Sequence, residues 1–112
     1  MDIDYDGSTL RIGEQTHELR HDIKDYIVTA DTIVVLIHPD EGGAVDPQNV
    51  LGFDTAGNKV WEVEIPSSRA KRHMFNSIAE KGGEILGQGW NRHRYRIDIE
   101  TGDIENLGRT RK

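Results

Sequence analysis

Five histidines and no cysteine limit any transition-metal chemistry to imidazole and carboxylate ligands. His17 and His21 stand four residues apart, which puts two imidazoles on one face of a helix and serves less well on a strand. A zinc site needs three or four converging ligands, and no His-Glu-x-x-His pattern accompanies the pair. Asp40, Glu41 and Asp46 crowd one glycine-containing loop with the oxygen ligands that calcium prefers. The alternating acids, central glycine and terminal glutamate of an EF-hand loop are missing, so a solvated acidic loop is the reading. Asp2, Asp4 and Asp6 alternate along one strand and share a face, with Ile3 and Tyr5 on the other. Paired carboxylates do acid–base work when burial raises one of their pKa values, but an edge strand guarded by charge explains them without chemistry.

Nucleophile and phosphate-loop patterns fare no better. Ser8, Ser67, Ser68 and Ser77 lack a Gly-x-Ser-x-Gly context, and the glycines at 82–83, 87 and 89 lack the lysine and the strand–loop–helix setting of a phosphate cradle. The one outward feature with binding chemistry is the row Arg92, Arg94 and Arg96. On an extended strand Tyr95, Ile97 and Ile99 take the inward face, so Arg94 and Arg96 project outward and Arg92 extends the row. Guanidinium groups suit bidentate contacts to carboxylate or phosphate, so the row could hold an acidic partner or a nucleic-acid backbone. Carboxylates on neighbouring strands, Glu62 and Glu64 for instance, would neutralise it instead, and that reading is favoured because the first part of the chain is so acidic.

These residues need strands to position them. In Asn49 to Ile65, Trp61, Val63 and Ile65 alternate with Glu62 and Glu64, the period-2 pattern of a half-buried strand. Asp54 and Gly57 supply the turn, since Asp bonds its own downstream backbone and Gly accepts positive φ. Arg94 to Ile104 and Ile3 to Ile12 repeat this grammar, so three hairpins suggest a meander. Ile33 to Ile37 is apolar on both faces and should be the central strand of a sheet, Ala30-Asp31 is a turn before it, and Pro39 stops it. Residues 38–48 read as a surface loop. Two segments stay ambiguous. Residues 14–25 fit a short helix or, as we favour, an extended segment; residues 69–81 fit an amphipathic helix or, with at most a short helix after Pro66, strands near 73–79 and 84–90.

The stretch from Phe53 to Val63, with Asp54-x-x-Gly57-Asn58-x-x-Trp61, resembles the blade signature of quinoprotein-type β-propellers over about one hairpin. A propeller needs roughly four to eight blades of about 40 residues each, which this length does not supply. The order of signals along most of the chain is also similar to small uncharacterised prokaryotic proteins of about this length. That resemblance implies a fold and brings no catalytic residue.

The 112 residues suit one domain, 1–112, large enough to bury a core without staples. With no cysteine, disulfides are excluded and a cytosolic setting is permitted. The acidic start and the short apolar runs argue against secretion and membrane insertion. Charge is divided unevenly: residues 1–68 hold four Lys/Arg against fourteen Asp/Glu, and residues 69–112 hold ten against six, for a net charge of −6. Internal pairing of the two parts is the preferred reading of that asymmetry, and a net acidic chain makes a poor general polyanion binder. Tyr5, Trp61, Trp90 and Tyr95 read as core or turn aromatics rather than a base-stacking platform.

The sequence therefore predicts an all-β domain, an antiparallel meander of about seven to nine strands forming a curved sheet, an open barrel or a small sandwich. The expected role is a non-enzymatic, cytoplasmic protein-interaction module that needs no metal or cofactor, with self-association left open. The alternatives are single-stranded nucleic-acid binding through the basic second part, or a small ligand-binding or hydrolytic barrel.

Overall fold

The computed structural model describes residues 3–38, 48–64, 74–89 and 93–109, Arg109 by its backbone alone. Among them are eleven strands and no helix. β1 (Ile3–Asp6), β2 (Thr9–Ile12) and β3 (Gln15–Glu18) make a first sheet; β4 (Ile23–Thr29), β5 (Thr32–Ile37), β6 (Val50–Asp54) and β7 (Lys59–Glu62) a second; β8 (Phe75–Lys81), β9 (Glu84–Gly89), β10 (His93–Ile97) and β11 (Ile104–Arg109) a third. Every pairing is antiparallel and joins strands adjacent in sequence.

The all-β class holds, but three sheets replace the single curved sheet, barrel or small sandwich, and none of them closes. The reason lies in β5. Ile33, Val35 and Ile37 join Leu10 and Ile12 of the first sheet in one buried cluster, with Leu51 and Phe53. Val34 and Leu36 point the other way, into a second cluster with Trp61, Phe75, Ile85, Tyr95 and Ile97. A strand apolar on both faces needs a layer on each side, so the second sheet becomes the middle of a stack.

The ambiguous segments hold no helix where they are described: 14–25 gives β3, a bend within 19–22 and the start of β4, and the second gives β8. His17 of β3 lies opposite Leu10 of β2, and a helix over 14–25 would leave β2 without that partner. In β8, Phe75 and Ile78 are both buried, a spacing of three that suggests a helix. A register shift between Phe75 and Ser77 produces it, because a bulge adds one residue and restores the same face. Residues 65–73, where the short helix after Pro66 was expected, lie outside the described residues. Ala30 turns between β4 and β5 with φ of 49°, a left-handed conformation that a Cβ disfavours.

Candidate functional site

Each layer is fastened to the next by a ring on its last strand. Trp61 of β7 is 6% exposed and lies opposite Gly52, where a Cβ would come within 2.1 Å of the indole. Its Nε1–H donates to the Ile99 carbonyl at 2.8 Å, and its ring lies against Gly102, whose φ of 80° and missing Cβ admit it. The same position on β3 carries His17, whose Nε2 meets the Gly57 carbonyl and whose ring lies 5.0 Å from that of Phe53. His17 thus packs a layer rather than starting a metal site. Among the described residues no group of three or more His, Asp or Glu side chains is placed to hold a metal ion.

Between the second and third sheets, fully buried Asn49 closes the joint. Its Nδ2–H2 donates to the Ile37 carbonyl at 3.0 Å and the Phe75 carbonyl at 2.8 Å, while its Oδ1 accepts from the Phe75 N–H at 2.9 Å. An asparagine offers both donors and acceptors, which matches the N–H and carbonyl that Phe75 presents at the start of β8. Sequence reasoning missed this residue; its one signal was an asparagine directly before an apolar strand.

The arginine row divides. Arg92 lies outside the described residues. Arg96 projects from the outer face of the third sheet, and its Nε lies 2.6 Å from the Glu84 carboxylate while its Nη1 bonds Glu105. The neutralising carboxylates therefore come from β9 and β11, which flank β10, and not from Glu62 or Glu64. Glu62 is held by Lys59 at 2.6 Å and Arg20 at 3.1 Å, and Glu64 accepts from the Ile104 N–H at 2.9 Å. Partial burial would raise the Glu62 pKa, but these two cations outweigh it and hold the carboxyl below its ordinary range.

Arg94 is exposed and enters no ion pair among the described residues. It faces Gln88, which in turn faces Ser77, and with Lys81 and Leu86 these residues line a groove of about 300 Å³. Sequence reasoning found Arg94 but not Lys81, since that required the register of β8. A second groove of about 340 Å³ runs past Ile85, Ile97 and Ile104 with Glu84, Arg96 and Asp103 along it. Its carboxylates, Asp98 and Glu105 included, are all exposed, so burial does not prime one as a general acid.

On the opposite end of the stack the outer face of the first sheet carries Asp4, Asp6, Arg11 and Glu18, as the register of β1–β3 requires. Asp4 pairs with Arg11 at 3.3 Å. Ser8 and then Thr9 donate to the Glu18 carboxylate, holding its pKa below the ordinary value. β1 is an edge strand, as its acids suggested; Asp2 lies outside the described residues. So do Asp40, Glu41 and Asp46 of the acidic loop, and Ser67 and Ser68.

A model of the family described as a domain of unknown function (DUF7957) matches residues 1–109. The chain belongs to that family. No curated protein and no solved structure matches it. The DUF7957 description carries no activity, so function has to be argued from the faces of the stack. Among its described residues no helix is long and apolar enough to cross a membrane.

Proposed function

We propose that this DUF7957 chain is a non-enzymatic protein-interaction module of the cytoplasm whose docking surface is the outer face of the third sheet. The observation that carries the reading is the contrast within the arginine row: Arg96 is ion-paired with Glu84 and Glu105, whereas Arg94 stands exposed in a groove beside Lys81 and Leu86 without an ion pair among the described residues. A guanidinium without a carboxylate partner suits an acidic protein surface, because it binds carboxylate bidentately. The nucleic-acid alternative is weaker, since the neutralised Arg96 leaves few cations on that face and the chain is net acidic. The described sheets leave no closed barrel interior, which weighs against a ligand-binding or hydrolytic barrel. The likeness of one hairpin to a quinoprotein-type blade fits the placing of Trp61 on the last strand of a four-stranded sheet and brings no chemistry with it.

The test is capture from host lysate by the tagged chain and by its Arg94→Ala variant. The reading expects a protein retained by the parent and lost by the variant, and no gel shift with single-stranded DNA or RNA. A micromolar, steeply salt-dependent shift would instead move the assignment to nucleic acid.

A further inference from the structure

We infer that the partner taken by the third sheet's outer face is a second copy of this chain, docking head to tail through the outer face of its first sheet. This rests on the docking reading above and names its partner. Stacking inside the chain runs in one direction: the last strand of each sheet delivers a ring to the hairpin of the next, His17 to Gly57 and Trp61 to Gly102 and Ile99. A Cβ on Gly57 or Gly102 would lie 2.7 Å from the layer before it, whereas one on Gly13, in the first sheet's corresponding hairpin, would meet nothing within 4 Å. Among the described residues the stack therefore begins with a hairpin that nothing covers and ends with a face that covers none.

The two terminal faces match in charge. The first sheet presents Asp4, Asp6 and Glu18 against Arg11; the third presents Lys81, Arg94 and Arg96 against Glu84 and Glu105. One face is net negative and the other net positive. Each also carries a groove, of about 260 Å³ beside Asp4, Asp6 and Arg11 and of about 300 Å³ beside Arg94 and Lys81. At the position of His17 and Trp61, third in its last strand, the third sheet has Asn106 and no ring to deliver, and its outer face carries Glu105 opposite Arg96. The contact between copies is thus charged where the internal joints are apolar, so it is reversible and sensitive to salt, the screening length falling from about 10 Å at 0.1 M to about 3 Å at 1 M. It is also heterologous, and such contacts extend or close into rings rather than stopping at a two-fold dimer.

Sedimentation velocity over a range of concentrations tests this with two face-blocked variants, Lys81→Glu with Arg94→Glu and Asp4→Lys with Asp6→Lys. All four residues are exposed, and circular dichroism confirms that each variant folds. The parent should show a mass that climbs with concentration beyond the 12.7 kDa chain and falls back in high salt. Each variant alone should stay monomeric, and their equimolar mixture should form a dimer, because each keeps the face the other has lost. A parent that is monomeric at every concentration, a mixture that stays monomeric, or a dimer formed by either variant alone overturns the inference. If the parent is monomeric yet lysate capture still depends on Arg94, only the second copy is wrong; if capture is indifferent to Arg94, the docking reading falls too.

Discussion

The two joints of the stack are built on one plan and to different strengths. At the joint between the second and third sheets, the third contributes Phe75, Ile78, Ile85, Tyr95 and Ile97, all buried. Polar ties lace across it: Asn49 to Phe75, Trp61 to Ile99, Lys24 Nζ to the Asn76 carbonyl at 2.8 Å and Thr29 Oγ1 to Glu80 at 2.8 Å. At the other joint the first sheet and the residue after it contribute buried Leu10 and Ile12 with half-buried Ile3 and Leu19, and two rings, His17 against Phe53 and Tyr5 against Tyr26. Its strands are four residues each. Burial at about 25 cal/mol per Å² scales with the apolar area supplied, so the first sheet is the layer that yields first.

The sharpest way to break that comparison is to remove the ring at each joint. Trp61→Ala should cost about 3–5 kcal/mol, as large aromatic truncations in cores do, a large share of a small domain's stability. His17→Ala should cost only about 1–2 kcal/mol, the range of ordinary destabilising substitutions. Urea denaturation of both variants decides it; equal midpoint losses would mean that the joints are equally strong.

Asn49→Leu comes next. It removes three hydrogen bonds at once, two of them to the buried Phe75 backbone, and each such loss in a core costs about 1–3 kcal/mol. Amide exchange should quicken at Phe75 and along β8 while β1–β3 keep their parent rates. Faster exchange in the first sheet alone would show that Asn49 does not belong to the stronger joint.

Much of this plan is written in the residues. The alternation at Trp61, Val63 and the acids between them, the two-faced run at β5 and the inward Tyr95 and Ile97 are period-2 signals, and all four buried side chains named here lie where the pattern puts them. The number of layers was harder to read. Two-sided burial of β5 implies a third layer only when one also knows that the hairpins before and after it stay separate sheets, and pairing limits are not periodic signals. The helical spacing of Phe75 and Ile78 kept a helix in contention there, because a bulge leaves no mark in composition. The arginine row was legible as a face; its partners were not, since Glu84 and Glu105 become neighbours only through the register of β9, β10 and β11.

Native-state hydrogen exchange in mild denaturant gives a third test. Amides of β2 and β3 should exchange through a sub-global opening of lower free energy than those of β5, β6 and β9, as layers with little buried apolar surface do. Leu10→Ala should lower that opening energy further, by about 2–5 kcal/mol if the site cannot collapse, and leave the third sheet unchanged. A single opening energy for all three sheets would remove the distinction between the joints.

The smallest expected effect is on acidification, and its sign follows from Glu18. Hydrogen bonds from Ser8 and then Thr9 favour the ionised carboxyl, so its pKa in the folded chain lies below the ordinary 4.5. A carboxyl depressed by folding contributes stability that is fully present above its unfolded pKa and is lost as pH falls through the folded one. Those bonds join β2 and the turn before it to β3, within the weaker layer. Asp54 behaves alike in the second sheet, held below 3.8 chiefly by the Asn58 backbone N–H at 2.9 Å. Exchange followed from neutral pH down through the Glu18 titration should therefore show β2–β3 opening more readily while β5 and β9 hold. In Glu18→Gln, which cannot ionise, the β2–β3 hairpin should open more readily already at neutral pH and lose its dependence on acid, whereas the Asp54 turn keeps its own. If the hairpin of the parent opens with the same free energy at both ends of the titration, the Ser8 and Thr9 bonds do not fasten the first sheet, and its weakness must be assigned to the small apolar contribution of Leu10 and Ile12 alone.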